Sequence, residues 1–261
     1  MSVKREIDFS KYLSLKIGAK LPVEVIEDYD YDRGLRIIGF GYNLLVSPQA
    51  RNLAILGDRF DYIEDRGEFI EVGASTRSSK IFKFFESHDL GGLEFLRALP
   101  GSLGGLVKMN AGMKEYEMKN TLDSVCVDGE WIAMENLGFG YRTSAIEGVI
   151  FAARFKKVRG FDGALLERFS TMRKSHPALP SCGSCFKNPE GDFAGRLLEA
   201  VGMKGYFING VGFSHEHANF LVNADKGTAD FDSAIEVIEL AQRRVFEDFG
   251  IKLQKEVIIL G

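Results

Sequence analysis

Between Gly91 and Gly112 the chain reads G-G-L-E-F-L-R-A-L-P-G-S-L-G-G-L-V-K-M-N-A-G, with Pro100, Gly101, Gly104, Gly105 and Gly112 punctuating a segment too apolar for a disordered linker. Such a segment is expected to be buried, and buried backbone polar groups demand partners. A second glycine turn lies upstream in L-R-I-I-G-F-G-Y-N-L-L-V, residues 35–46, where Gly39, Gly41 and Asn43 separate two short apolar runs. Glycine turns admit phosphate oxygens to the backbone amides because no side chain intervenes. Two of them in a mostly β context suggest one extended ligand spanning both, whereas the G-F-G turn taken alone reads as a plain hairpin. Leu44 stands where a G-x-G-x-x-G pattern would need its third glycine, and no long helix follows, so the Rossmann fingerprint is absent.

Around these turns the pattern alternates between strand and helix. Residues 20–28 and 52–74 carry strand-like alternation, and residues 122–134 read as a hairpin turning at Asp128-Gly129. Helical spacing runs from Ser78 to His88 with Ile81, Phe82, Phe84 and Phe85 inward, His88 facing the helix dipole at its end. It returns from Gly163 to Ser175 with Leu165, Leu166, Phe169 and Met172 inward. Residues 209–223 predict a turn running into a strand with His215, His217 and Asn219 near its start. Asp230 to Phe249 is the longest helix, with Phe231, Ile235, Ile238, Ala241, Val245 and Phe249 at core spacing and Gly250 as its stop. A final strand, L-Q-K-E-V-I-I-L, carries Glu256 among apolar neighbours.

The chain has 261 residues, 45% hydrophobic and 27% charged, enough to bury a sizeable core divided into two or three lobes. A net charge of -4 leaves no electrostatic footprint for nucleic acid or an acidic membrane. The N-terminus, M-S-V-K-R-E-I-D, lacks the apolar stretch of a signal peptide, and no apolar run approaches membrane-spanning length. Three cysteines make no disulfide framework. A cytoplasmic protein, monomeric, with neither nucleic-acid nor membrane partner, is expected.

Residues 180–189, P-S-C-G-S-C-F-K-N-P, form a polar segment between two prolines. It lies just before a helix predicted over 192–201 with Phe193, Leu197, Leu198 and Val201 on one face. Unpaired amides cluster at helix starts, so the segment reads either as an anion-binding turn or as a surface loop with an ordinary cap. Cys182 and Cys185 form a C-x-x-C with no second pair, and His215 and His217 have no third ligand nearby; no metal site is expected.

Taken in order, G-F-G-Y-N-L-L, G-L-E-F-L-R-A-L-P-G-S-L-G-G with M-N-A-G, F-G-Y-R-T-S, G-S-C-F-K-N-P, H-A-N-F-L-V-N and the terminal E-V resemble the UDP-N-acetylenolpyruvoylglucosamine reductases over nearly the whole chain. The resemblance implies an α+β fold: a two-lobed FAD-binding domain of the PCMH/VAO type over residues 1–173, with 250–261 returning to it, and a smaller α+β substrate-binding domain over 174–249. It implies FAD and NADPH as cofactors and UDP-N-acetylglucosamine enolpyruvate as substrate. FAD contacts are then expected from Gly39, Gly41, Tyr42, Asn43, Leu44, Gly101, Ser102, Gly104, Gly105, Asn110, Ala111 and Gly112. The catalytic positions of the family fall on Ser184 as proton donor, with Arg142 and Glu256 stabilising the developing charge. Substrate contacts fall on Tyr141, Lys187, Asn188 and His217, although Lys187 and Asn188 either bind the nucleotide sugar or brace the loop. The short span from Arg142 to Gly183 resembles a subgroup without the tyrosine-bearing insertion. Ile258 stands where many relatives have a basic residue.

Overall fold

The structure, a computed structural model, describes residues 3–174 and 176–261; Ser175, the expected end of one helix, lies outside the described residues. Residues 3–57 carry strands β1 (Val3–Asp8), β2 (Lys20–Ile26), β3 (Arg36–Ile37), β4 (Leu44–Val46) and β5 (Leu53–Leu56), with the one-turn helix α1 (Phe9–Tyr12) after β1. Next come β6 (Ile63–Asp65), β7 (Phe69–Gly73), α2 (Ser78–Ser87), α3 (Leu103–Lys108), β8 (Gly112–Met113), β9 (Tyr116–Glu117), β10 (Leu122–Val127), β11 (Glu130–Ala133), β12 (Ile150–Lys156) and α4 (Gly163–Arg173). The chain ends with β13 (Ser181–Ser184), α5 (Ala194–Ala200), β14 (Phe207–Ile208), β15 (Val211–Phe213), β16 (Phe220–Asn223), α6 (Phe231–Phe249) and β17 (Ile258–Leu260). The fold is mixed α+β. None of the described helices is long and apolar enough to cross a membrane.

Two compact units divide the chain, one of residues 3–5, 23–40 and 52–174, the other of residues 6–22, 41–51 and 176–261. In the first unit β2, β5 and β3 pair in parallel, and a sheet of order β11-β10-β12-β7-β6 is antiparallel throughout. Helix α3 packs against β12 and β7, and Ala153 and Phe155 of β12 share a core with Ile81 and Phe85 of α2, Leu103 of α3 and Phe169 of α4. A smaller cluster joins Ile26 and Ala54 of the parallel sheet to Cys126, Phe151 and Ala152. Strand β12, apolar on successive residues rather than alternate ones, is therefore covered on both faces.

The second unit is built on the sheet β13-β16-β15-β14, against which α6 packs, and on the parallel pair β17 and β4. Asp230 opens α6 by accepting the Ser233 N–H at 2.7 Å, and the helix stops at Gly250, whose N–H returns to the Phe246 carbonyl. Ala234, Val237, Ile238, Ala241 and Val245 line its buried face, at the spacing that turns one stripe of a helix inward.

Several expectations from the pattern hold, among them the hairpin at Asp128-Gly129 and the His88 ring set 2.8 Å from the Phe84 carbonyl at the end of α2. Others are corrected. The runs flanking Gly39 and Asn43 do not form a hairpin: β3 pairs with β5 and β4 with β17, so the turn carries the chain from one sheet to another. Phe193 is 68% exposed because α5 begins one residue later, leaving it in extended backbone off the helical face. Phe249, 40% exposed, ends α6 beyond the last core position and lies under the Arg196 guanidinium at 5.4 Å. Phe84, Leu165, Leu166, Met172, Val201, Phe231 and Ile235 are only half-buried. His215 and His217 occupy the turn between β15 and β16, so strand periodicity says nothing of them. The stretch before α5 is not all loop, since Ser181–Ser184 pairs with β16 as a strand.

The terminal strand is shorter than its pattern. It begins at Ile258, because the amides of Glu256 and Val257 both turn to the Cys185 carbonyl instead of entering a regular ladder. It does pair with a segment of the first 173 residues, namely β4, yet both strands belong to the second compact unit.

The α6 cap generates a stability prediction. The Ser233 N–H holds the Asp230 carboxyl below its ordinary value, so its contribution is complete above about pH 4 and is lost as the pH falls further. Asp230→Ala should cost about 1 kcal/mol in urea unfolding at pH 7, and the gap between variant and parent should narrow towards pH 3.

Candidate active site

The expected site residues fall into three groups. The first is glycine-rich and lies in the first unit. A Cβ on Gly39 would stand 2.5 Å from Ser102 Oγ, so the two glycine turns singled out in the sequence meet there, and only glycine at 39 permits the approach. Ser102 caps α3 by accepting the Gly105 N–H at 3.4 Å. The segment's backbone demand is met in good part by residues 74–78: Ser78 N–H reaches the Gly101 carbonyl at 3.0 Å, Leu103 N–H the Thr76 carbonyl at 2.9 Å, and Gly104 N–H the Ala74 carbonyl at 2.9 Å. Arg77 stacks over the Phe40 ring at 4.4 Å, adding a cation beside the same turn.

The second group surrounds Arg142. Asn110, fully buried, donates through Nδ2 to Glu117 Oε2 at 3.1 Å and to the Gly140 carbonyl at 3.0 Å, while its Oδ1 accepts the Lys119 N–H at 3.1 Å. Its side chain braces three chain segments. Ala111 joins them through its backbone, its carbonyl accepting the Met118 N–H at 3.0 Å. Arg142 Nη2 donates to the Gly112 carbonyl at 2.6 Å, and the guanidinium carbon lies 5.2 Å from the centroid of the Tyr141 ring. Tyr141 itself is 49% exposed.

The third group belongs to the second unit and brings Ser184 and Glu256 together. The Cys185 carbonyl accepts the Glu256 N–H at 2.8 Å and the Val257 N–H at 3.2 Å, placing the residue after Ser184 against the backbone of Glu256. The register of β13 on β16 shifts between Ser181 and Ser184, an irregularity of the kind that re-aims a side chain at the end of a strand. Asn219 clasps the other side: Oδ1 accepts the Phe186 N–H at 3.0 Å, Nδ2 donates to the Phe186 carbonyl at 2.8 Å, and its own carbonyl accepts the Cys185 N–H at 2.7 Å. Asn43 Nδ2 donates to the Glu256 carbonyl at 2.9 Å, and the Asn43 carbonyl accepts the Ile258 N–H at 3.0 Å. The turn before Asn43 is pinned as well, with the Gly41 carbonyl accepting Ser14 N–H at 3.1 Å and the Tyr42 carbonyl accepting Ser14 Oγ at 3.3 Å. Leu44 is buried in β4, next to β17.

Asn188 Oδ1 accepts the Ala194 N–H at 3.0 Å, so it caps the start of α5 from within the F-K-N-P turn. Lys187 is half-buried and fixed through its N–H to the Gln254 carbonyl at 2.9 Å. His217 Nδ1 accepts the Asn219 N–H at 3.2 Å, and burial holds the ring's pKa below its ordinary value; the neutral ring therefore carries its proton on Nε2. His215 packs on Phe207 with ring centroids 5.7 Å apart, and no group of metal-binding side chains occurs among the described residues. Cys182 and Cys185 are buried and unpaired; burial pushes the Cys182 thiol up to about 12 and Cys185 well above the usual thiol range, which leaves both protonated and unreactive.

Two residues that the sequence did not mark for a site emerge from this geometry, Glu117 and Asn219, while Asn43, expected beside FAD, is found bonded to the Glu256 carbonyl. Only Asn219 carried a signal, its place in H-A-N-F.

Comparison with known proteins identifies relatives over nearly the whole chain. Residues 175–260 match the family model described as the UDP-N-acetylenolpyruvoylglucosamine reductase C-terminal domain. The chain is 56% identical over 255 residues to the UDP-N-acetylenolpyruvoylglucosamine reductase of Helicobacter pylori, covering 97% of this chain and 98% of that relative. It is 44% identical over 260 residues to the enzyme of that name from Campylobacter jejuni, covering 97% and 99%. A crystal structure of UDP-N-acetylenolpyruvylglucosamine reductase from Thermus caldophilus matches with a TM-score of 0.86 at 29% identity over 100% of both chains. By sequence identity over nearly its entire length and by fold, the chain belongs to the UDP-N-acetylenolpyruvoylglucosamine reductase family of oxidoreductases.

Proposed function

We propose that the chain reduces the enolpyruvyl group of UDP-N-acetylglucosamine enolpyruvate to give UDP-N-acetylmuramate, a step of peptidoglycan precursor synthesis, in the cytoplasm with FAD bound and NADPH as reductant. Membership of the reductase family supports the reaction. The observation that carries the assignment to particular residues is the Cys185 carbonyl, which ties the Ser184 segment to Glu256 through two N–H groups.

Residues 1–173, with 250–261 returning to them, are read as an FAD-binding part of the PCMH/VAO type and residues 174–249 as the substrate part. FAD suits the glycine-rich group because Gly39 and Ser102 meet with no room for a side chain between them, and backbone of this kind is chemically suited to a pyrophosphate. Gly39, Gly41, Tyr42, Asn43 and Leu44 on one turn, and Gly101, Ser102, Gly104 and Gly105 on the other, would hold it. Asn110, Ala111 and Gly112 would support that site by bracing rather than by side-chain contact. When bound, FAD would supply the hydride-transfer chemistry between NADPH and the substrate that no side chain has.

The chain's own residues complete the reduction. Hydride addition to the methylene carbon moves electron density onto the carbon bearing the carboxylate, and Arg142 and Glu256 act on that carboxylate, Arg142 by charge and Glu256 through a shared proton. Ser184 Oγ then gives its proton to the same carbon, forming the second new C–H bond. A serine is a weak acid, so it must be held in line with the carbon; the bonds flanking it at Cys185 and Phe186 supply that rigidity. His217 offers an Nε2–H donor to the nucleotide sugar, alongside Tyr141, Lys187 and Asn188.

Anaerobic NADPH should bleach the visible absorbance of the flavin-loaded protein, and the enolpyruvyl UDP-sugar should then restore it. Bleaching without recovery would exclude this substrate, and no flavin absorbance even after added FAD would exclude the chemistry altogether. Ser184→Ala should leave bleaching by NADPH within about twofold of the parent while slowing recovery by roughly 10²- to 10⁴-fold, the range for loss of a positioned proton donor. Equal slowing of both phases in stopped-flow absorbance would remove Ser184 from the proton step.

A further inference from the structure

Arg142 occupies an unusual place for an arginine. Gly140 and Thr143 bridge each other, the Gly140 N–H donating to the Thr143 carbonyl at 3.0 Å, so Tyr141 and Arg142 form the tip of a tight turn. Arg142 has φ 54°, a left-handed backbone that favours glycine or asparagine, and a bulkier residue is kept there only where its surroundings over-determine it. Those surroundings are the Gly112 carbonyl and the carboxylate of Glu117, whose Oε1 lies 4.0 Å from Arg142 Nη1. Both partners are largely buried, with side-chain exposures of 17% for Arg142 and 13% for Glu117.

Glu117 is itself held. Its Oε2 accepts Asn110 Nδ2 at 3.1 Å and pairs with Lys119 Nζ at 3.1 Å, and Asn110 also grips the Gly140 carbonyl at the base of the arginine turn. The reach of Glu117 depends on Gly112. The two residues are paired across the β8–β9 hairpin, and a Cβ on Gly112 would lie 2.8 Å from the Glu117 Cα. The final glycine of M-N-A-G therefore lets the hairpin close and carry the carboxylate to the arginine.

We propose that Glu117 is a positioning residue for Arg142: its carboxylate, fixed by Asn110 and Lys119, sets the orientation of the guanidinium that meets the substrate carboxylate. The inference rests on the reading of Arg142 as the group that acts on that carboxylate. An ion pair at 4.0 Å acts on the guanidinium through charge, so an incoming carboxylate meets a cation already aligned.

The test compares Glu117→Gln and Glu117→Asp with the parent in the separate half-reactions and in binding UDP-N-acetylglucosamine, which lacks the enolpyruvyl carboxylate. Glu117→Gln should slow flavin reoxidation by the enolpyruvyl sugar about 10- to 100-fold, the scale of coupling between contacting charged residues, with Glu117→Asp intermediate. Flavin reduction by NADPH and calorimetric affinity for UDP-N-acetylglucosamine should stay within about twofold. In an Arg142→Lys background, Glu117→Gln should add little, because both changes act through one group. Additive effects in the double variant, or reoxidation unchanged in both Glu117 variants, would overturn the inference. So would parallel loss of both half-reactions, sugar affinity and melting temperature, which a merely structural residue would produce. Parent protein not reoxidised by the enolpyruvyl sugar would remove the functional reading and this inference with it; a competent parent beside unaffected variants removes the inference alone.

Discussion

A single carbonyl organises the second unit. Cys185 O accepts amides from both Glu256 and Val257, and the strand that follows immediately afterwards, β17, adds itself in parallel to β4. Parallel pairing gives this unit a connection between segments that are far apart in sequence: the Asn43 side chain and the Glu256 carbonyl it binds are 213 positions apart. Each such bond is worth about 1 kcal/mol net, but leaving its buried partner unpaired costs more. Asn219 is the clearest instance, since its side chain satisfies both backbone groups of Phe186 while only 4% exposed. Three asparagines, Asn43, Asn219 and Asn223, thus do what an additional strand would do elsewhere, because an amide side chain carries the same donor and acceptor as the backbone.

In the first unit the equivalent constraint is steric. The Gly39–Ser102 approach and the Gly112 hairpin each depend on a missing Cβ, and each brings together segments that carry polar groups. Gly112 does so for a charge. Burying Arg142 without compensation would cost several kcal/mol, and the Gly112 carbonyl together with the Glu117 carboxylate offsets that cost. Glu117 is in turn shared with Lys119.

The sequence exposed this arrangement unevenly. Features that depend on nearest neighbours were legible: the extent of α6 and its Gly250 stop, the Asp128-Gly129 hairpin, and the glycine turns as places of close approach. What failed were inferences from local pattern to partner. An apolar run such as Leu44–Val46 announces a strand, but nothing in it says that the mate is Ile258–Leu260 rather than the run before Gly39. Phe193 and Phe249 fit their helical faces by spacing and miss the core because each stands at or just beyond a helix end, where periodicity no longer fixes direction. Glu117 was invisible for the same reason as the β4–β17 pair, since its relation to Arg142 is made by a hairpin and a separate turn. Asn188 was legible only as two alternatives, and its bond to Ala194 N–H accounts for the bracing one.

The C-x-x-C beside the Ser184 segment illustrates how environment overrides motif. Cys182 and Cys185 lie in the core of the second unit among Leu197, Leu198, Phe186 and Phe213, and burial raises both thiols. The charge of Glu256 acts in the same direction on each, and a thiolate at Cys182 would raise Cys185 further. A redox dithiol needs the opposite surroundings, a cation or a helix start that favours thiolate. Burial therefore keeps both thiols protonated, outweighing the opposing charge of Lys255 at Cys185, and two residues that elsewhere mean disulfide chemistry act here as small apolar packing. What this segment contributes to the proposed site is a backbone group, the Cys185 carbonyl, which accepts the Glu256 N–H.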